Sequence, residues 1–125
     1  MRTSVARKFS FEAAHFLPRY EGKCKHMHGH RWEVEVKLEG QIDPSSGMIL
    51  DFSLLKKDMT EEFLELYDHK VLNDFFENPT AENIASRIFN RLRARAGTGE
   101  GVLGRVNLTS VKVWESPDSY AEVSV

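Results

Sequence analysis

His28-Gly29-His30-Arg31-Trp32-Glu33-Val34-Glu35-Val36-Lys37-Leu38-Glu39 is the stretch on which the fold turns. Trp32, Val34, Val36 and Leu38 alternate with Arg31, Glu33, Glu35, Lys37 and Glu39, the two-residue period of a strand with one buried and one charged face. The same phase runs back through His30 and His28, so the apolar face begins with two imidazoles. Upstream, Phe9, Phe11, Ala13, His15 and Leu17 share one parity while Ser10 and Glu12 take the other. This predicts a second strand whose inner face also carries a histidine near its end.

Working outward, Asp43-Pro44-Ser45-Ser46-Gly47 reads as a turn, and Met48-Ile49-Leu50 as a short third strand pairing back. Phe52, Leu55, Met59, Phe63 and Leu66 recur every three or four residues, the stripe of an amphipathic helix with Ser53 as its cap and its end near Tyr67-Asp68-His69. A second helix is expected after Asn78-Pro79, capped by Thr80 and buried through Ile84, Ile88, Phe89 and Leu92. Gly97, Gly99, Gly101 and Gly104 suggest a mobile loop. Val106 to Glu115 and Tyr120 to Val125 then read as a closing hairpin across Ser116-Pro117-Asp118-Ser119. Strands, helices and strands in that order describe one α+β domain over residues 1–125, an antiparallel four-stranded sheet with two helices on one face. The free sheet edges and the charged second face predict subunits joined edge to edge into an oligomeric barrel.

The chain carries 29% charged residues and a net charge of -2, which offers no basic footprint for nucleic acid and leaves a small molecule as the expected ligand. Neither a signal peptide nor a membrane span is expected from the opening residues, and the cytoplasm is the expected compartment. Cys24 is the only cysteine, so no intramolecular disulfide forms.

Four of the five histidines fall between His15 and His30. Two histidines separated by one strand residue point the same way, as His28 and His30 do, and His15 ends the other inward-facing run. Three imidazoles leave a tetrahedral Zn2+ one open position, the arrangement of a catalytic site. The plain alternative is a set of hydrogen-bonded histidines at strand ends. Cys24 lies between Lys23 and Lys25 with His26 nearby, and positive neighbours favour the reactive thiolate over an inert buried thiol. As a fourth zinc ligand it would instead close the site and make it structural. Asp68-His69 is a carboxylate beside an imidazole, the unit that orients a proton carrier, although a solvated helix end has the same composition. Glu115, after Trp114, offers a carboxylate that can accept two parallel hydrogen bonds from a pterin or guanine edge.

Phe11-Glu12-Ala13-Ala14-His15, Cys24-Lys25-His26-Met27-His28-Gly29-His30, Asp43 to Phe52, Asp68-His69 followed by Leu72-Asn73-Asp74, Asn78-Pro79-Thr80-Ala81-Glu82 and Trp114-Glu115 together resemble the 6-pyruvoyltetrahydropterin synthase superfamily. Within it the chain looks like the 6-carboxy-5,6,7,8-tetrahydropterin synthases of queuosine biosynthesis, over nearly its whole length. The resemblance implies a tunnelling fold, in which three subunits form a twelve-stranded barrel and two trimers stack into a hexamer. It implies zinc on His15, His28 and His30, Cys24 as catalytic thiol, and Asp68 and His69 as its proton-relay partners, serving a neighbouring subunit's thiol or their own. Glu115 becomes the pterin anchor, with Thr80 and Glu82 near the pocket. The implied substrate is 7,8-dihydroneopterin triphosphate. Cleavage of its side chain gives 6-carboxytetrahydropterin, acetaldehyde and triphosphate; the pyruvoyl enzymes eliminate triphosphate and keep the carbon chain, and a non-catalytic zinc or pterin module is a third reading. Three residues separate Cys24 from His28, similar to the carboxy branch, whereas the pyruvoyl enzymes typically carry a longer insert. Glu115-Ser116 departs from the Glu-Thr usual in both.

Overall fold

Strand β1 (Thr3–His15) and strand β2 (His28–Gly40) pair antiparallel without interruption from Thr3↔Gly40 to His15↔His28. This pairing, in a computed structural model describing residues 1–125, puts the imidazoles of the two strands at one end of a shared inner face. Phe9, Phe11, Ala13, Trp32, Val34, Val36 and Leu38 fill the rest of that face and are buried. Each large apolar side chain so placed contributes roughly 1.5–3 kcal/mol of burial free energy.

The helix that covers this face starts at Phe52, capped by Asp51, whose carboxylate accepts from Ser53 N at 2.8 Å and Ser53 Oγ at 2.6 Å. The expected cap, Ser53, lies inside the helix, because the ionised carboxylate two residues earlier is the stronger acceptor for the first-turn N–H groups. The helix runs through α1 (Phe52–Met59), a π-helical stretch (Thr60–Leu64) and α2 (Glu65–Tyr67). Leu55, Met59 and Phe63 reach the core as their spacing requires, but Phe52 stays exposed. After the wider π turn, Tyr67 is fully buried and Leu66 only partly so.

Two further expectations need correction. Met48-Ile49-Leu50 forms no strand: the Asp43 N–H donates to the Met48 carbonyl at 2.9 Å and Gly47 N to Asp43 O at 2.7 Å, so the segment closes on itself. The additional strand is instead β3 (Lys70–Val71), parallel to β1 at Ala13 and Ala14, and two residues are too short to show a period. The sheet is therefore mixed and five-stranded, in the order β3-β1-β2-β4-β5, rather than four-stranded and antiparallel.

Helix α3 (Ala81–Thr98) is capped by Thr80, which accepts from Asn83 N at 3.1 Å, and buries Ile84, Ala85, Ile88, Phe89 and Leu92. It runs through Gly97 and stops at Gly99, whose φ of 77° suits a residue without Cβ. The segment beyond is tied down, not loose. Val102 and Leu103 are buried, and Val102 N donates at 3.0 Å to Asp58, which also accepts from Arg95 at 2.9 Å. Strands β4 (Asn107–Ser116) and β5 (Ser119–Ser124) close the sheet as the expected hairpin. No helix is long and apolar enough to cross a membrane.

Candidate metal centre and active site

His15 sits opposite His28 in the ladder, and His30 is the next inward residue along β2. Their rings meet edge to face, with centroids 4.6 Å apart for His15 and His28, 5.2 Å for His15 and His30, and 4.7 Å for His28 and His30. Trp32 floors the cluster, 4.9 Å from the His15 ring and 5.5 Å from the His30 ring, and is anchored by its indole N–H on the Ala13 carbonyl at 3.2 Å.

The second nitrogen of two of these rings decides their chemistry. His15 Nδ1 lies 2.8 Å from the Pro79 carbonyl oxygen and His28 Nδ1 lies 2.7 Å from that of His26. A carbonyl oxygen only accepts, so each Nδ1 carries a proton, and in the neutral ring the lone pair falls on Nε2. Yet the two Nε2 atoms face each other at 3.1 Å. Two lone pairs so close repel unless a cation lies among them. Burial pushes the pKa values of His15 and His30 down, outweighing the Pro79 hydrogen bond at His15 and the Glu115 charge at both, so burial favours the neutral ring, with one nitrogen protonated and the other carrying a lone pair. His30 Nε2 is buried without a hydrogen-bond partner. Glu115 Oε1 stands 3.2 Å from it.

Glu115 completes the group. Its carboxylate is also 3.2 Å from His15 Nε2, and one ligand atom from each of His15, His28, His30 and Glu115 falls within 4.8 Å of every other. Two features place it there. Val111, Val113 and Glu115 share the inward parity of β4, and the β4–β5 register slips between Trp114 and Ser116, leaving Glu115 as an extra residue at a bulge. Nitrogen and carboxylate donors of this kind suit zinc. A free carboxylate was expected at Glu115 for a ligand's edge; its closeness to the histidines was not, although the inward phase of β4 carried that signal.

Cys24 lies on a single 3-10 turn (Lys23–Lys25), half-buried, and outside the cluster of converging donors. Its carbonyl accepts from Leu17 N at 2.7 Å, which keeps the turn beside the end of β1. Asp68 and His69 are in contact: Asp68 Oδ2 is 3.0 Å from His69 Nδ1, while Asp68 Oδ1 accepts from Glu12 N at 2.9 Å. That backbone hydrogen bond is the main cause holding the Asp68 carboxyl below its ordinary pKa. His69 has a φ of 59°, unusual for a residue with a side chain, and its imidazole is 79% exposed. Thr80 serves the helix as its cap. Glu82 shares with Glu115, Ser119 and Tyr120 a cleft of about 410 Å3 between the start of α3 and the β4–β5 hairpin.

The family model described as 6-pyruvoyl tetrahydropterin synthase matches residues 4–125. The chain belongs to the 6-pyruvoyl tetrahydropterin synthase family. This chain is 39% identical to the 6-carboxy-5,6,7,8-tetrahydropterin synthase of Synechocystis sp., over 94% of this chain and 89% of that one. It is 35% identical to the dihydroneopterin monophosphate aldolase of Pyrococcus furiosus, over 98% of each. The structure of Caenorhabditis elegans 6-pyruvoyl tetrahydropterin synthase superposes with a TM-score of 0.81 at 30% identity, covering 100% of this chain and 96% of that chain.

Asn73 and Pro79 stand in the motifs quoted above, but their supporting roles were not expected from the sequence. Asn73 accepts from Phe16 N at 3.0 Å and donates to Phe16 O at 2.9 Å, pinning the residue after His15. Pro79 matters through its carbonyl oxygen, which no side-chain pattern can reveal.

Proposed function

We propose that this chain is a zinc-dependent 6-carboxy-5,6,7,8-tetrahydropterin synthase, converting 7,8-dihydroneopterin triphosphate to 6-carboxytetrahydropterin, acetaldehyde and triphosphate in queuosine biosynthesis. The observation that carries this reading is the convergence of ring nitrogens whose protons are held on the far side by the Pro79 and His26 carbonyls. His15, His28 and His30 hold the metal; when bound, zinc would acidify the side-chain hydroxyls and the carbons that bear them. Cys24, outside the donor cluster, moves protons as the catalytic thiol, and Asp68 orients His69 as its relay. Glu115 takes the amide and amino edge of the pterin, with Glu82 beside it in the cleft and Thr80 fixing the helix that forms one wall. The exposed imidazole of His69 suits a role toward a neighbouring copy's thiol, in a homo-oligomer built through the free edges of the sheet. The substrate is a soluble pterin, and the reaction is placed in the cytoplasm.

The similarity to the Pyrococcus furiosus protein supports a second reading, aldol cleavage of dihydroneopterin monophosphate. Product analysis separates these. Incubation with the triphosphate should release acetaldehyde and leave a carboxylate on the ring; a retained pyruvoyl side chain, or a hydroxymethyl ring formed from the monophosphate alone, would replace the proposed activity. Cys24→Ala should keep stoichiometric zinc and lose turnover. Loss of zinc from that variant would make the thiol a structural ligand.

A further inference from the structure

We infer that Glu115 is the fourth metal ligand of the resting site and that an incoming pterin pulls it away, so one carboxylate both closes the metal and reports ring binding. The inference rests on the metal-site reading above and goes beyond it. Two contacts point to this role. Glu115 Oε1 stands 3.2 Å from both His15 Nε2 and His30 Nε2, where the ring nitrogens converge. His30 Nε2 is buried without a hydrogen-bond partner, which leaves it available to a metal. A carboxylate among three neutral imidazoles, within 4.8 Å of every donor, completes a tetrahedral set.

The same carboxylate is free to move outward. Glu115 keeps 31% of its side chain exposed and lines the cleft shared with Glu82 and Tyr120. Its place at a bulge leaves it without a cross-strand partner on β5. A ring that offers adjacent N–H donors in the cleft competes for the oxygens that otherwise face the metal position. Release of the carboxylate then opens that position only when a pterin is seated, which keeps water and stray anions off the metal at rest. No bond is made or broken in this exchange beyond the metal–carboxylate contact itself.

Cobalt(II) in place of zinc makes the fourth ligand visible by absorption. In Glu115→Gln the cobalt spectrum should change, cobalt affinity should fall about tenfold, and azide should bind at least about tenfold more tightly because no tethered carboxylate competes. In wild-type protein, 7,8-dihydropterin without a side chain should move the spectrum toward that of Glu115→Gln. This titration needs no variant to fold. An unchanged spectrum on adding dihydropterin, or equal azide affinity in both proteins, overturns the inference. Cobalt held by wild type and lost from His15→Ala, with Glu115→Gln indistinguishable from wild type, removes this inference and leaves the three-histidine site standing. Cobalt taken up no better by wild type than by His15→Ala removes both.

Discussion

The Pro79 carbonyl oxygen lies 2.8 Å from His15 Nδ1, joining the turn that starts helix α3 to the most buried ring of the histidine cluster. The hydrogen bond fixes which nitrogen of His15 points inward. On the proposed metal-site reading, metal affinity and helix initiation are coupled through two consecutive residues, Pro79 and Thr80.

Thr80→Ala tests that coupling. Loss of the side-chain cap should destabilise the metal-free protein by about 1 kcal/mol in denaturant titration. Metal affinity should fall as well, by roughly tenfold, as the Pro79 carbonyl loses its fixed place. A helix cost without any change in metal binding would show the two to be independent.

Asp68→Asn separates positioning from proton transfer. The amide oxygen still accepts from Glu12 N, so the thermal midpoint should stay close to wild type. The anionic partner of His69 is gone, and turnover should drop roughly 10^2 to 10^4-fold, the usual range for a lost acid–base function. Retained turnover would reduce the pair to a surface contact.

Much of this was legible in the sequence, and each gap has a physical cause. Alternation in β1 and β2 placed His15, His28 and His30 on one face because a strand's period is rigid, and the ladder confirms it residue by residue. The short strand β3 carries no periodicity. The extra residue of the π-helical stretch is likewise invisible in spacing alone, and it gives Tyr67 the buried place expected of Leu66. Glu115 was legible as a useful carboxylate but not as a neighbour of the histidines, since that depends on how β4 lies against β2 and on a local bulge.

Trp32→Ala should be among the costliest single changes. The indole is fully buried, stacks with the Phe11 ring at 6.3 Å and lies under two of the histidines. A loss of about 3–5 kcal/mol is expected from the cavity. Chemical denaturation of the metal-free protein measures it without interference from metal binding.

Asp51 gives a pH signature. Its carboxyl is held below the ordinary value chiefly by the Ser53 hydroxyl and then by the Ser53 N–H. A group depressed on folding stabilises the protein above its unfolded pKa, and that contribution disappears as pH falls through the folded value. Asp51→Ala should therefore melt below wild type at neutral pH, with the gap closing as pH falls through the folded pKa of Asp51. A gap that persists in acid would assign the loss to packing instead.

Asn73 holds both backbone groups of Phe16 with one side-chain amide, doing for that residue what a neighbouring peptide unit would do. The sheet is in effect lengthened by a surrogate peptide just past the point where His15 must be held still. Exchanging its single nitrogen for oxygen, as in Asn73→Asp, would set a carboxylate oxygen against the Phe16 carbonyl. A change of one atom outside the cluster would then slacken the strand end that carries His15.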